Sequence, residues 1–277
     1  MYPTYMSSRQ VGSNTEYLVC KILIKMGHKP MPGYTNKRME QMQISTTSNK
    51  KLETNLIAAL KRIIGPSKKL DFSLMPDTHG SSTSVSRSTS DIVIHSQPEI
   101  NISIKHNNFS LKHQKAGNLW SQMRMCESRK RRFLDAYNKI GGEWLSKWSG
   151  FSTFADMPAE AKKELYDKVN GLTLKNLVSA PHKDVCGYID FVLDLQTKNK
   201  FILRIDSSSS SVRIMQMNIA SGARINKIKR AGNFIEIGLP NDVTVRMRLH
   251  TCKTRVTKTL ALKYDTQIRG GLVEMEL

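Results

Sequence analysis

The segment from Asp91 to Lys105 limits the fold more tightly than any other stretch of the chain. Asp91-Ile-Val-Ile-His95 and Ile100-Asn-Ile-Ser-Ile-Lys105 are rich in β-branched residues, and Ser96-Gln97-Pro98 between them suits a turn. Strand side chains alternate, so Ile100, Ile102 and Ile104 share one face. Asn101, Ser103, Lys105 and Asn107 share the other. A lone hairpin is marginal in water, so this one must join a sheet and bury its isoleucines beneath another layer.

Helices for that layer precede it. Ser13-Asn-Thr-Glu16 reads as a capping box opening a helix whose apolar positions, Tyr17 to Met26, end at Gly27. A second amphipathic helix covers residues 51–64 and stops at Gly65-Pro66. Residues 77–90 are Ser/Thr-rich and read as a loop leading into Asp91. Beyond the hairpin, residues 114–140 read as helical, broken by Gly141-Gly142, and another helix covers 158–171. From Val185 the pattern turns to strands, at 187–195, 200–205, 212–217, 234–237, 243–249 and 259–263. The expectation is an α/β fold with a mixed sheet flanked by helices over 1–145. A helical spacer over 146–180 and a β-rich part over 181–277 complete it.

Charge narrows the partners. The 277 residues carry 43 Lys and Arg against 23 Asp and Glu, a net charge of +20. A field of that sign attracts polyanions, and nucleic acid is the partner to expect. Cys20, Cys126, Cys186 and Cys252 are widely spaced, which speaks against a zinc site or a disulfide scaffold. No long apolar run or signal peptide is legible, so the expectation is an intracellular, cytoplasmic protein with no membrane partner.

Hydrolysis of a phosphodiester needs a divalent metal, an activated water and help for the charge developing on phosphorus. An acid opening one strand and a lysine on the polar face of the next is an economical layout for it. Asp91 and Lys105 have that layout, but the usual second acid is Ser103. The continuation Ile102-Ser-Ile-Lys-His-Asn107, then Leu111-Lys-His-Gln114, resembles the signature of HaeIII-type type II restriction endonucleases, within the PD-(D/E)XK nuclease superfamily. Asp77-Thr-His-Gly80 with Ser90-Asp91, Arg248-Leu-His-Thr251, and Leu262-Lys-Tyr-Asp265 with Gln267 resemble further stretches of that family in the same order. Asn108 departs from the pattern, and the loop before Asp91 is longer than the family's.

The resemblance implies a PD-(D/E)XK nuclease-like core and Mg²⁺-dependent cleavage of double-stranded DNA at a short GC-centred palindrome. That site is GGCC, or purine-G-C-pyrimidine in a relaxed relative. It also implies a homodimer on a palindromic site and a cognate DNA methyltransferase acting separately. The catalytic candidates are Asp91, Lys105, Ser103, His106 and Glu16, with Asp91 and Glu16 as metal ligands. Glu16 is equally explained as a capping residue, and Ser103 as spacing. DNA-binding candidates are Asn107, Lys112, His113 and Gln114 beside the hairpin, and Arg129, Arg131 and Arg132 as a phosphate clamp. Arg246, Arg248, His250, Lys253 and Arg255 are candidates for base reading, or a charged strand that resists aggregation. Two alternatives remain at this point: a repair or recombination nuclease of the same superfamily, and a non-catalytic basic nucleic-acid-binding protein.

Overall fold

The computed structural model describes residues 8–42, 49–66, 69–75, 90–106, 112–115, 126–206, 208–251, 256 and 262–276, with backbone alone for 8–13, 34, 41–42 and 112–115. The first half of the chain runs α1 (Ser8–Lys25), β1 (Lys29–Pro30), α2 (Tyr34–Met42), α3 (Lys50–Ile64), β2 (Asp71–Leu74), β3 (Ile92–Ile94), β4 (Ile100–His106), β5 (Lys112–Lys115) and α4 (Glu127–Lys147). Then follow α5 (Ala159–Ser179), α6 (His182–Leu193), β6 (Lys200–Asp206), β7 (Ser211–Met217), β8 (Lys227–Ala231), β9 (Phe234–Gly238), β10 (Thr244–Thr251), β11 (Leu262–Arg269) and β12 (Leu272–Met275). These strands make a mixed sheet of order β1-β2-β3-β4-β6-β7-β12 and an antiparallel sheet of order β5-β11-β10-β9-β8.

The chain forms two compact units. One holds Met1–Phe109, Thr197–Asn218 and Leu272–Leu277; the other holds Ser110–Gln196 and Ile219–Gly271.

In the first unit the hairpin forms as its alternation predicts. Ile92 pairs with Ile102 and Ile94 with Ile100, antiparallel. On its other side β4 pairs parallel to β6, with Lys105 opposite Arg204. Ile102, Ile104, Leu203 and Ile214 face a core completed by Val19, Ile22 and Leu23 of α1 and by Leu56, Leu60 and Ile63 of α3. Each such side chain fully buried stabilises by about 1.5–3 kcal/mol. Asn49 caps α3, its Oδ1 accepting from the Leu52 amide at 3.1 Å. Gly65 ends the helix at φ 75°, a left-handed angle that glycine takes without strain. The opposite face of β4 is covered too: Asn101 and Ser103 are buried. Asn101 Oδ1 accepts from Ser90 Oγ, and its Nδ2 donates to the Lys198 carbonyl, each at 3.2 Å.

In the second unit α5 lies against β8, β9 and β10, and α4 packs on α5. Trp144 of α4 donates to the Ala161 carbonyl at 2.8 Å and stacks on Phe154. The Tyr264 hydroxyl on β11 sits 3.0 Å from both Asn170 Oδ1 and Thr173 Oγ1 of α5.

Several expectations are corrected. Boundaries at 145 and 180 do not match the units, because β6, β7 and β12 join the sheet of β4 across a long sequence separation. The β-rich C-terminal part is thus shared between two sheets. Gln114 and Lys115, expected at the start of a helix, belong to the strand β5. Helix α4 begins at Glu127 and runs through Gly141-Gly142 to Lys147. Each glycine costs a helix about 1 kcal/mol, which burial of Phe133, Tyr137 and Trp144 outweighs. Residues 187–195, expected as a strand, fall largely within α6. Its buried Val185, Tyr188, Ile189 and Val192 recur at helical spacing. Among the described residues no helix is long and apolar enough to cross a membrane.

Candidate active site

Strand β3 starts at Ile92, opposite Ile102, whereas β4 continues to His106. The Ile104 amide therefore lies past the end of the shorter strand, and Asp91 Oδ2 accepts its hydrogen bond at 2.5 Å. The Lys105 ammonium stands 3.9 Å from the same oxygen, with the two side chains about one-quarter to one-fifth exposed (25% and 21%). An acid and a lysine on neighbouring strands thus meet at a place that solvent reaches.

Ser103 and His106 are arranged differently. Ser103 is 1% exposed, so its hydroxyl does not open to solvent as a ligand for a metal-bound water would. His106 follows Lys105 on β4 and so points to the isoleucine face, where its Nε2 lies 3.2 Å from Thr15 Oγ1 of α1. Burial, and then the charge of Lys105, hold the His106 pKa below the usual histidine value. Strand alternation thus puts His106 and Lys105 on opposite faces of β4. Glu16 follows Thr15 on α1, and its charge adds to burial in pushing the Cys20 thiol pKa up. It shares a flank of α1 with Cys20, one turn away.

A divalent metal here would draw on few protein donors. Among the described residues no group of three or more His, Cys, Asp or Glu side chains is placed to hold one. Asp91 offers carboxylate oxygen, which fits Mg²⁺, an ion that keeps several waters and needs one or two carboxylates plus substrate phosphate.

The basic candidates divide by their partners. Arg246 is fixed: its Nε donates to Glu236 Oε1 at 2.9 Å, and its guanidinium lies 3.8 Å over the Phe234 ring. Arg248 and His250 point the same way along β10 and gather on Asp265 of β11, with distances of 3.6 and 2.5 Å to Oδ2. Lys263 Nζ is 4.0 Å from the other oxygen. Two sequence stretches that resembled family motifs, at 248–251 and 262–267, thereby become neighbours. His113 of the third stretch is the register partner of Asp265 on β5. Arg129 donates to the Ser179 carbonyl at 2.9 Å and ties α4 to the end of α5, while Arg131 and Arg132 are exposed. Lys112 and Gln114 are placed on β5 by backbone alone, and Asn107, Lys253 and Arg255 lie outside the described residues.

Sequence reading missed Thr15, Glu236 and Asp265 as organising groups. Asp265 carried a signal, since it closes the Leu-Lys-Tyr-Asp stretch. Glu236 carried none beyond its alternation in a short strand. No protein-family model, curated protein or solved structure matches the chain.

Proposed function

We propose that the chain is a site-specific endonuclease that hydrolyses phosphodiester bonds of double-stranded DNA at a short GC-centred palindrome, with Mg²⁺ as cofactor. The observation that carries this reading is the Asp91–Lys105 pair, 3.9 Å apart at the open end of the β3–β4 hairpin. The resemblance of residues 102–114 to the signature of HaeIII-type restriction endonucleases, a group within the PD-(D/E)XK superfamily, supports it from the sequence side.

In this reading Asp91 holds the metal through a carboxylate oxygen, and Glu16 is the remaining candidate for a second. The divalent ion supplies Lewis-acid polarisation of the phosphoryl oxygen. Lys105 places a positive charge where negative charge grows on phosphorus and orients the attacking water. The Ile104 amide holds the Asp91 carboxylate in place through the hydrogen bond at Oδ2, so the acid is positioned before substrate arrives. Arg131 and Arg132, exposed on the second turn of α4, serve as phosphate contacts in this reading.

Digestion of a sequenced plasmid with Mg²⁺, followed by mapping of fragment ends, tests the reading. Discrete fragments that vanish with EDTA and with Lys105→Ala are the expected result. A second reading is favoured by one observation, the buried Ser103 at the position of the second acid. It makes the chain a non-catalytic DNA-binding protein. An intact plasmid across several divalent metals, retarded in a gel by the protein, selects it.

A further inference from the structure

The antiparallel five-stranded sheet has two unlike faces. Val245, Met247 and Leu249 of β10 and Tyr264 of β11 are buried on one of them, the side of α5. The registers put the intervening residues of all the strands on the other face. From β8 to β11 that face carries Lys227, Lys229, Arg246, Arg248, Lys263 and Arg269, six cations against two carboxylates, Glu236 and Asp265. Lys227, Lys229, Arg248 and Arg269 are exposed.

The registers set these cations against acids or neutral residues, Arg246 and Lys229 opposite Glu236 and Arg248 opposite Asp265, and still leave the face with an excess of positive charge. The two acids relieve only its centre: Glu236 lies within 3.5 Å of Lys229 and 2.9 Å of Arg246, and Asp265 serves Arg248, His250 and Lys263. Among the described residues, Lys227 and Arg269, on the edge strand β8 and at the end of β11, have no ion-pair partner. Among the described residues the face has two aromatic rings: Phe234, which the Arg246 guanidinium covers, and the His250 imidazole, which is engaged with Asp265. A surface that binds single strands needs open rings on which bases stack. This one offers charge without stacking, and that fits the phosphate backbone of a duplex.

We infer that the basic face of this sheet is the docking surface for duplex DNA, with Lys227, Lys229, Lys263 and Arg269 as phosphate contacts around a centre ordered by Glu236 and Asp265. Five strands span roughly 19 Å at about 4.8 Å spacing, the length of about five to six base pairs at 3.4 Å each. Arg246 and Arg248, held in fixed orientation by the two acids, face the duplex from the middle of that span. The inference adds a DNA-binding sheet face to the proposed function, and it rests on DNA being the partner but not on cleavage.

Binding is measured by fluorescence anisotropy in EDTA, with Lys105→Ala as background so that no cutting intervenes, on a duplex of about 20 base pairs. The double variant Lys227→Ala/Arg269→Ala should bind roughly tenfold more weakly near physiological salt, with the slope of log K against log salt reduced by about 2. The charge-matched pair Lys61→Ala/Lys175→Ala, both exposed on helices, should leave affinity and slope unchanged. Thermal melts of both pairs establish that each is folded. Equal losses in the two pairs, or tighter binding to single strands or to anionic phosphatidylserine vesicles than to duplex, would overturn the inference. Loss of binding through the face in a protein whose parent never cuts DNA would sink the nuclease reading and leave this one standing.

Discussion

The Asp91 carboxylate accepts the Ile104 amide and faces the Lys105 ammonium with one oxygen, so its removal disturbs strand and chemistry together. Asp91→Ala leaves a partly buried amide without its acceptor and should lower stability by about 1–3 kcal/mol. Asp91→Asn retains an acceptor oxygen and should stay within about 1 kcal/mol of the parent. Both should lose plasmid cleavage by at least about a hundredfold, as should Lys105→Ala. Urea unfolding beside a cleavage assay separates the two roles. If Asp91→Asn cleaves normally, the carboxylate is a strand-end fitting alone. His106 makes a prediction about pH. Its folded pKa is lowered by burial and by Lys105, so as pH falls through about 6.5 the unfolded chain takes up the proton before the folded one does. Its neutral form is therefore favourable above that range, and stability declines as pH drops below it. Between about pH 7.5 and 5.5 the parent should lose more stability than His106→Gln. His28, whose pKa is also lowered by burial, contributes the same trend to both proteins and cancels in the comparison. Identical declines would remove His106 as the source.

At the scale of elements, β11 and α5 are joined by the Tyr264 hydroxyl, in contact with Asn170 and Thr173 and wholly buried among apolar neighbours. Tyr264→Phe keeps the ring and leaves two polar groups short of a partner, a cost of about 1–3 kcal/mol. Chemical denaturation should report that loss, with far-ultraviolet circular dichroism unchanged. A neutral outcome would mean that water or rotation of the two side chains replaces the bond. The elements most legible in the sequence were those with a strong period and clear stops. α3 lies between Asn49 and Gly65 as its apolar stripe and breakers indicate, and β4 keeps its isoleucines on one face. α6 was misread because Gly187 to Leu195 is apolar on nearly every position, and such a run does not distinguish helix from buried strand. Within the candidate site, Asp91 and Lys105 were legible because local alternation sets their meeting. Thr15 was not, since its contact with His106 depends on where α1 lands on the sheet, which no local pattern specifies.

At the scale of the molecule, pairing across the sequence decides what can fold. A boundary at residue 145 looks natural because helices begin to dominate there. Yet a fragment of residues 1–145 contains β1 to β4 and none of β6, β7 or β12. It leaves β4 as an edge strand, with the backbone groups that should meet β6 unpaired, and removes Leu203, Ile205, Val212 and Ile214 from the core under α1 and α3. Exposed edges of this kind template aggregation, and the lost side chains account for about 1.5–3 kcal/mol each. For the four together, about 6–12 kcal/mol, this is comparable to the whole stability of a typical domain. The fragment 1–145 should therefore show no cooperative thermal transition and should bind a hydrophobic dye, while the full chain unfolds cooperatively. Joining residues 1–109 directly to 197–218 through a short Gly/Ser linker returns β6 and β7 to the side of β4. This shorter protein should regain a sharp transition. If 1–145 melts sharply and the rejoined protein does not, the β4–β6 pairing is not what holds the first unit together.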